Sequence, residues 1–150
     1  MRPGRITALV VAAHVLAAGS RAADPGGPIA VVVGATSRVE GVTLDTLREL
    51  YLRRRRVWPD GSRAIPVNLP ADAPLRQTFS ERVLGRLPRD LEGYWNRRYF
   101  EGIQPPLVLR TAEAVCAYVA VEPSAIGYVP LQEVDRSNCR VLLLLRAAPD

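Results

Sequence analysis

The segment over residues 47–84 constrains the fold more than any other part of this chain, because it joins several local signals in a fixed order. Apolar residues at helical spacing predict an amphipathic helix, which Thr43 can cap at its start. A run of arginines ends this helix, and a strong turn signal follows at residues 58–61, where Pro, Asp and Gly each favour turn geometry. Residues 64–69 then predict a strand, and Asp72 can cap a second helix. The order helix, turn, strand, helix is typical of an α/β domain.

Strands and helices alternate along the rest of the chain as well. Besides the strand already described, apolar runs predict strands at residues 29–33, 107–109, 125–129 and 140–145. This alternation predicts an α/β fold, namely a single three-layer domain with a largely parallel or mixed sheet flanked by helices. We expect the last apolar run to be central in the sheet or covered on both faces.

Two further helices are predicted in the second half of the chain. One begins near Pro88 and carries Tyr94, Trp95 and Tyr99 on one side. Aromatic residues at helical spacing are usually core, so we expect this stripe to be buried and not to form a ligand platform. The other helix begins after Thr111, which can cap it.

The first 22 residues have the features of a secretory signal peptide. Positive charges precede an apolar run of the right length, and small residues end at Ala22, where we expect cleavage. The predicted organisation is a signal peptide over 1–22, a flexible spacer over 23–28 and an α/β domain over 29–146. The mature protein would then be periplasmic or secreted.

Export changes how the two cysteines, Cys116 and Cys139, are interpreted. A single bridge between them would be natural in an oxidising compartment. The alternative is two separately buried thiols, because sequence alone does not place their Cα atoms within bonding range.

The net charge of +5 and the arginines at residues 53–56 suggest nucleic-acid binding at first sight. Three of the 20 basic residues, however, precede the expected cleavage site. The arginine run is short, lacks flanking aromatic residues for base stacking, and lies where a helix C-terminus already favours cations. We therefore expect a solvated turn and no nucleic-acid partner.

The histidine content argues against an enzyme. The single histidine, His14, lies in the predicted signal peptide, so the mature chain would contain none. This excludes Ser-His-Asp and Cys-His catalysis, and it leaves too few of the usual ligands for a zinc site. We expect no catalytic residues, no metal and no cofactor.

The arginine-rich turn with Trp58, the strand after it, and the downstream Ala125-Ile-Gly-Tyr-Val strand resemble the phosphate-binding components of bacterial ABC transporters. The resemblance is to short exported relatives of their second lobe. It implies one lobe of a type 2 periplasmic binding protein fold, a non-enzymatic role, phosphate or a similar oxyanion as a weakly bound ligand, and a membrane transporter or sensor as partner. The alternative is an extracytoplasmic protein-interaction or sensory accessory module that has lost small-ligand binding.

In that family a Gly-Ser-Gly-Thr-Arg turn opens a helix and binds the anion, and it aligns with residues 72–76 here. Arg76 is the one residue of the motif that is kept. A residual anion site would combine Arg76 with Thr36 and Ser37, which follow the first strand, where open α/β sheets tend to place ligands. The alternative is that Arg76 is an ordinary surface charge.

Overall fold

The computed structural model describes residues 27–146. The strands are β1 (Ile29–Gly34), β2 (Ile65–Asn68), β3 (Leu107–Val108), β4 (Ala125–Pro130) and β5 (Cys139–Leu145). The α-helices are α1 (Leu44–Tyr51), α2 (Pro74–Phe79), α3 (Glu92–Phe100) and α4 (Ala112–Val121). A π-helical turn over Ser80–Leu84 extends α2, and short 3₁₀ turns lie at Pro88–Leu91 and Leu131–Glu133. The predicted signal peptide and most of the predicted spacer lie outside the described residues.

The five strands form one mixed sheet in the order β3-β2-β4-β1-β5. β2 runs parallel to both β3 and β4, whereas β1 runs antiparallel to both β4 and β5. Helices cover both faces of this sheet. The predicted α/β class, with three layers and a mixed sheet, is therefore confirmed.

The expected central position of the last strand is wrong. β5 lies at the edge of the sheet, where it pairs with β1 alone among the described strands. After Cys139 its residues are only partly buried. The leucine-rich composition suggested full burial, but the continuously buried central strands are β1 and β4, whose residues are all buried.

The helices divide between the two faces of the sheet. Tyr51 of α1 and Phe79 of α2 contact the ring of Tyr128 in β4. A Cβ on the neighbouring Gly127 would instead overlap a side-chain methyl of Val115 in α4. Because successive strand residues point to opposite faces, α1 and α2 cover one face and α4 covers the other.

The α4 face is packed at very short range. A Cβ on Gly34 would overlap the backbone carbonyl of Val119, so this end of β1 approaches the helix backbone itself. Gly127 approaches α4 in the same way through Val115. The close approach that a glycine inside a strand suggests is therefore present at two positions.

Threonine hydroxyls cap α1 and α4, which lie on opposite faces of the sheet. Thr43 Oγ1 accepts a hydrogen bond from Thr46 N, and Thr111 Oγ1 accepts one from Ala114 N, each at 3.1 Å. Both predicted caps are confirmed. The predicted cap at Asp72 is wrong: with Pro74 in the first helical turn, the cap position of α2 falls on Ala73, which has no side-chain acceptor.

The expected burial of the aromatic stripe on α3 is also wrong. No residue of α3 is buried, and Tyr99 is 61% exposed. The helix packs beside the end of α1 through polar contacts, since Tyr94 donates its hydroxyl to Leu52 O and Arg98 donates to Arg53 O. α3 thus lies outside the layers that cover the sheet.

Within residues 27–146, no helix has both the length and the apolar character needed to cross a membrane.

Candidate functional site

Three aromatic rings form the centre of the face covered by α1 and α2. Phe79 stacks on Tyr128 with ring centroids 3.7 Å apart and planes inclined by 2°. Tyr51 lies against both rings, at 4.7 Å from Phe79 and 5.9 Å from Tyr128. All three side chains are buried. We call these residues the aromatic cluster.

The two hydroxyls of the aromatic cluster are already engaged with the ends of the strands. Tyr51 donates to Val67 O at 2.9 Å. Tyr128 donates to Asn68 Oδ1 at 3.1 Å and accepts from Leu69 N at 3.3 Å. The cluster is therefore hydrogen-bonded to the C-terminal end of β2, where the chain turns toward α2.

A buried cation lies beside the cluster. Arg76 is only 7% exposed and Ser80, one helical turn later, is fully buried. Arg76 Nε and Ser80 Oγ have no hydrogen-bond partner among the described residues. None of the ion pairs found there includes Arg76. Because residues four apart share one helix face, the two unpartnered groups line the same side of the helix.

The electrostatics of the site follow from burial. Burial lowers the pKa of the Arg76 guanidinium, while Tyr128 and Tyr51 act in the opposite direction. An arginine nevertheless stays charged in a protein. Burial raises the pKa of Tyr128 to about 12, partly offset by Arg76, and raises that of Tyr51 well above its usual value. At neutral pH the site is therefore one cation beside two neutral phenols.

The structure does not bring Thr36 and Ser37 to Arg76. Ser37 is buried and donates its hydroxyl to Pro123 O at 3.2 Å, just before β4 begins, and Thr36 is exposed. Arg76 instead lies near Tyr128, close to the other end of β4. Because β1 runs antiparallel to β4 while β2 runs parallel to it, the segments that follow β1 and β2 lie at opposite ends of the sheet. One small anion cannot contact all three residues.

The alternative of an ordinary surface charge does not describe Arg76 either, since the side chain is buried. In the aligned motif, Asp72 and Pro74 are exposed and the helix that follows is short. Arg76, which lies in α2 itself, is thus the one buried charged group of the aligned segment.

Cys116 and Cys139 lie close together on the α4 face. Both are buried free thiols in this structure, and Cys139 Sγ lies 3.5 Å from Cys116 O. Burial, followed by the neighbouring Cys116, raises the pKa of Cys139 to about 12. A disulfide between them in an oxidising compartment stays a prediction, which is consistent with how close the two residues lie.

The arginine run forms an exposed turn at the end of α1. Arg53 adopts a left-handed conformation with φ of 57° and is partly buried, whereas the three arginines after it are exposed. Arg54 pairs with Glu49 at 3.2 Å. The turn predicted next to it is also present, with Gly61 N donating to Trp58 O at 2.9 Å and a φ of 84° at Gly61.

Sequence reasoning selected Arg76 but missed its surroundings, namely Ser80 and the hydroxyls of Tyr51 and Tyr128. A signal was present: Arg76 and Ser80 directly follow Leu75 and Phe79, which lie on the apolar stripe of the same helix. Leu75 and Phe79 form an apolar i, i+4 pair, and Arg76 and Ser80 form a polar pair beside it. This arrangement indicates that the polar pair also faces partly inward.

No protein-family model matches the chain, and no curated protein matches its sequence. Solved structures do match its fold. An ABC-type phosphate transport receptor from Vibrio cholerae aligns with a TM-score of 0.59 at 17% identity, over 76% of this chain and 44% of the receptor. A structure described as a phosphate ABC transporter substrate-binding protein with bound phosphate, from Clostridium perfringens, gives 0.62 at 19% identity, over 76% and 43%.

PstS from Borrelia burgdorferi aligns with a TM-score of 0.53 at 13% identity, over 70% of this chain and 42% of that protein. The chain thus spans less than half of the length of each of these proteins. At such identities the likeness concerns the fold, and in this respect the expected resemblance is confirmed. The chain has the fold of a single lobe of a phosphate ABC transporter substrate-binding protein.

Proposed function

We propose that the protein is an exported, non-enzymatic, solute-binding-protein-like domain that binds a small oxyanion beside the Arg76 guanidinium. The observation that carries the proposal is an arginine, Arg76, that is 7% exposed and has no acidic partner among the described residues. The fold supports the same class of function, because its solved neighbours are transport receptors.

An unpaired buried cation is unfavourable unless something compensates its charge. Elsewhere in the described chain, arginines lie at the surface or find acceptors, as Arg48 does with Val83 O at 2.8 Å. An oxyanion at Arg76 would supply both the missing charge and an acceptor for Nε, and Ser80 would donate a further hydrogen bond.

The test is isothermal titration of the purified protein with phosphate, sulfate, nitrate and formate. We expect binding with at least one of these ions, and we expect Arg76→Gln to abolish it. Arg55→Gln is the matched control, because it removes one exposed arginine and the same unit of charge. Equal affinity in wild type and Arg76→Gln, or no heat from any anion at millimolar concentration, would refute the site.

Export is the second part of the proposal, and it rests on the sequence of residues 1–22. A chain with this segment is expected in the periplasmic or secreted fraction with Ala23 as its first residue. A chain without the segment should stay in the cytoplasm. N-terminal sequencing of the fractionated protein distinguishes these outcomes, and an uncleaved chain in the membrane fraction would contradict them.

A different function, docking to a membrane transporter or sensor, is favoured by one other observation. Four large apolar residues between positions 99 and 108 are exposed, and Phe100 is 89% exposed. A photo-crosslinking residue at position 100 should capture such a membrane protein in cells. The same group at Val121, which is 80% exposed on α4, should not.

A further inference from the structure

Building on the proposed anion site, we propose that this site selects oxyanions with one negative charge, such as nitrate, formate and dihydrogen phosphate, over dianions such as sulfate. The basis is the charge and hydrogen-bond inventory around Arg76.

Arg76 is the only charged side chain that is buried among residues 27–146. The groups that interact with it are Tyr51 from α1 and Tyr128 from β4, which burial keeps neutral. The buried Ser80 lies four residues later, where the π-helical turn extends α2. The site therefore offers one positive charge and no second one. A monoanion would neutralise it, whereas a dianion would leave an uncompensated negative charge away from water.

The hydrogen-bond donors point to the same class. Tyr51 and Tyr128 already donate their protons to Val67 O and to Asn68 Oδ1. Free donors remain on the guanidinium, whose planar fork suits two oxygens of one ion, and on the Ser80 hydroxyl. This is a small set for a dianion, which attracts more donors than a singly charged ion of similar size.

The experiment compares nitrate, formate and sulfate with the full-length protein at constant ionic strength, by titration calorimetry. We expect nitrate or formate to bind at least about tenfold more tightly than sulfate, because the difference is a full unit of buried charge. Phosphate should bind more tightly at about pH 5.5 than at about pH 8.5, since it loses a second proton in this range while Arg76 and both phenols keep their charge states.

Nitrate is the internal control for pH, because its charge does not change and its affinity should stay level. If sulfate binds as tightly as nitrate and binding still needs Arg76, the selectivity proposal is wrong and the anion site stands. If no anion binds, the proposed function fails as well.

Two variants separate charge from shape. Arg76→Lys should keep the preference for nitrate over sulfate but bind both more weakly, since the charge stays and the fork is lost. Arg76→Met should raise the thermal midpoint in anion-free buffer and lose stabilisation by nitrate, because it removes an unpaired buried charge. A lower midpoint for Arg76→Met would contradict the unpaired state, and loss of the ion preference in Arg76→Lys would contradict the charge argument.

Discussion

The two faces of the sheet are buried to a similar degree by very different means. On the α4 face, Gly34 and Gly127 let the helix approach the sheet so closely that a Cβ at either position would overlap it. On the α1 and α2 face, the layer contains an arginine, a serine and two phenols in addition to apolar side chains. The first arrangement holds a helix very close to the sheet. The second places unpartnered polar groups among apolar side chains, and the proposed anion site lies there.

The comparison is tested most strongly by Phe79→Ala. If the aromatic cluster is a structural core as well as a site wall, removing its stacked ring should destabilise the protein by about 3–5 kcal/mol. Urea unfolding followed by circular dichroism measures this loss. Phe100→Ala is the matched control, and with 89% exposure it should change the free energy of unfolding by no more than about 0.5 kcal/mol.

The next largest effect is a loss of folding stability at alkaline pH. We expect it from the α1 and α2 face alone, because the buried phenols lie there. The pKa of Tyr128 is about 12 in the folded protein, against 10.0 for the unperturbed group. Below pH 10 the phenol is neutral in both states, so stability is unaffected. Between pH 10 and 12 only the unfolded chain ionises, and the folded state loses roughly 2–3 kcal/mol.

Tyr128→Phe should flatten this alkaline loss, leaving the part that Tyr51 contributes in the same direction. Thr111→Ala, at the start of α4, removes no ionisable group and is the control, so it should lower the midpoint by the same amount at every pH. Urea midpoints taken across the pH range give the comparison. Identical pH profiles of stability for wild type and Tyr128→Phe would show that Tyr128 does not cause the alkaline loss.

Gly34→Ala probes the α4 face by adding a single methyl group. The new Cβ would overlap Val119 O, a backbone atom that can move only with the helix, so we expect a loss of about 2 kcal/mol. Gly41→Ala meets nothing within 4 Å and should be neutral or slightly stabilising. A neutral Gly34→Ala in chemical denaturation would show that α4 is not held as closely as described.

The smallest effect that we expect is the loss of one helix cap, and it should be the same for α1 and for α4. Thr43→Ala and Thr111→Ala each remove a cap bond of 3.1 Å at the start of a helix, and each should cost about 1 kcal/mol. Thermal unfolding of the two variants side by side measures the difference. A markedly smaller loss of stability in one of the two variants would show that its helix forms without help from the threonine hydroxyl.

Local signals predicted the elements that depend on local physics. The Thr43 and Thr111 caps and the turn at Gly61 follow from hydrogen bonds within a few residues, so the sequence determines them directly. The alternation of strands and helices likewise predicted the α/β class. The strand order was not predictable in this way, and neither was the edge position of β5, because apolar content does not say which neighbour a strand will find.

The site shows the same limit more sharply. The aligned motif suggested Arg76, and Thr36 and Ser37 were grouped with it because they follow the first predicted strand. Whether two such segments meet depends on strand direction, and β1 runs opposite to β4 whereas β2 does not. The wrong prediction for Tyr99 on α3 has a related cause. Helical spacing shows which residues share one face of a helix, but it does not show whether another element covers that face.

The pairing of β1 has a consequence for how the chain acquires its structure. β1 is the first strand in sequence, yet its hydrogen-bonded neighbours are the last two, and Ile29 pairs with both Pro130 and Leu145. The pairing of β1 is therefore complete only after it has met residues of β4 and β5, far along the chain, and such long-range closure slows folding.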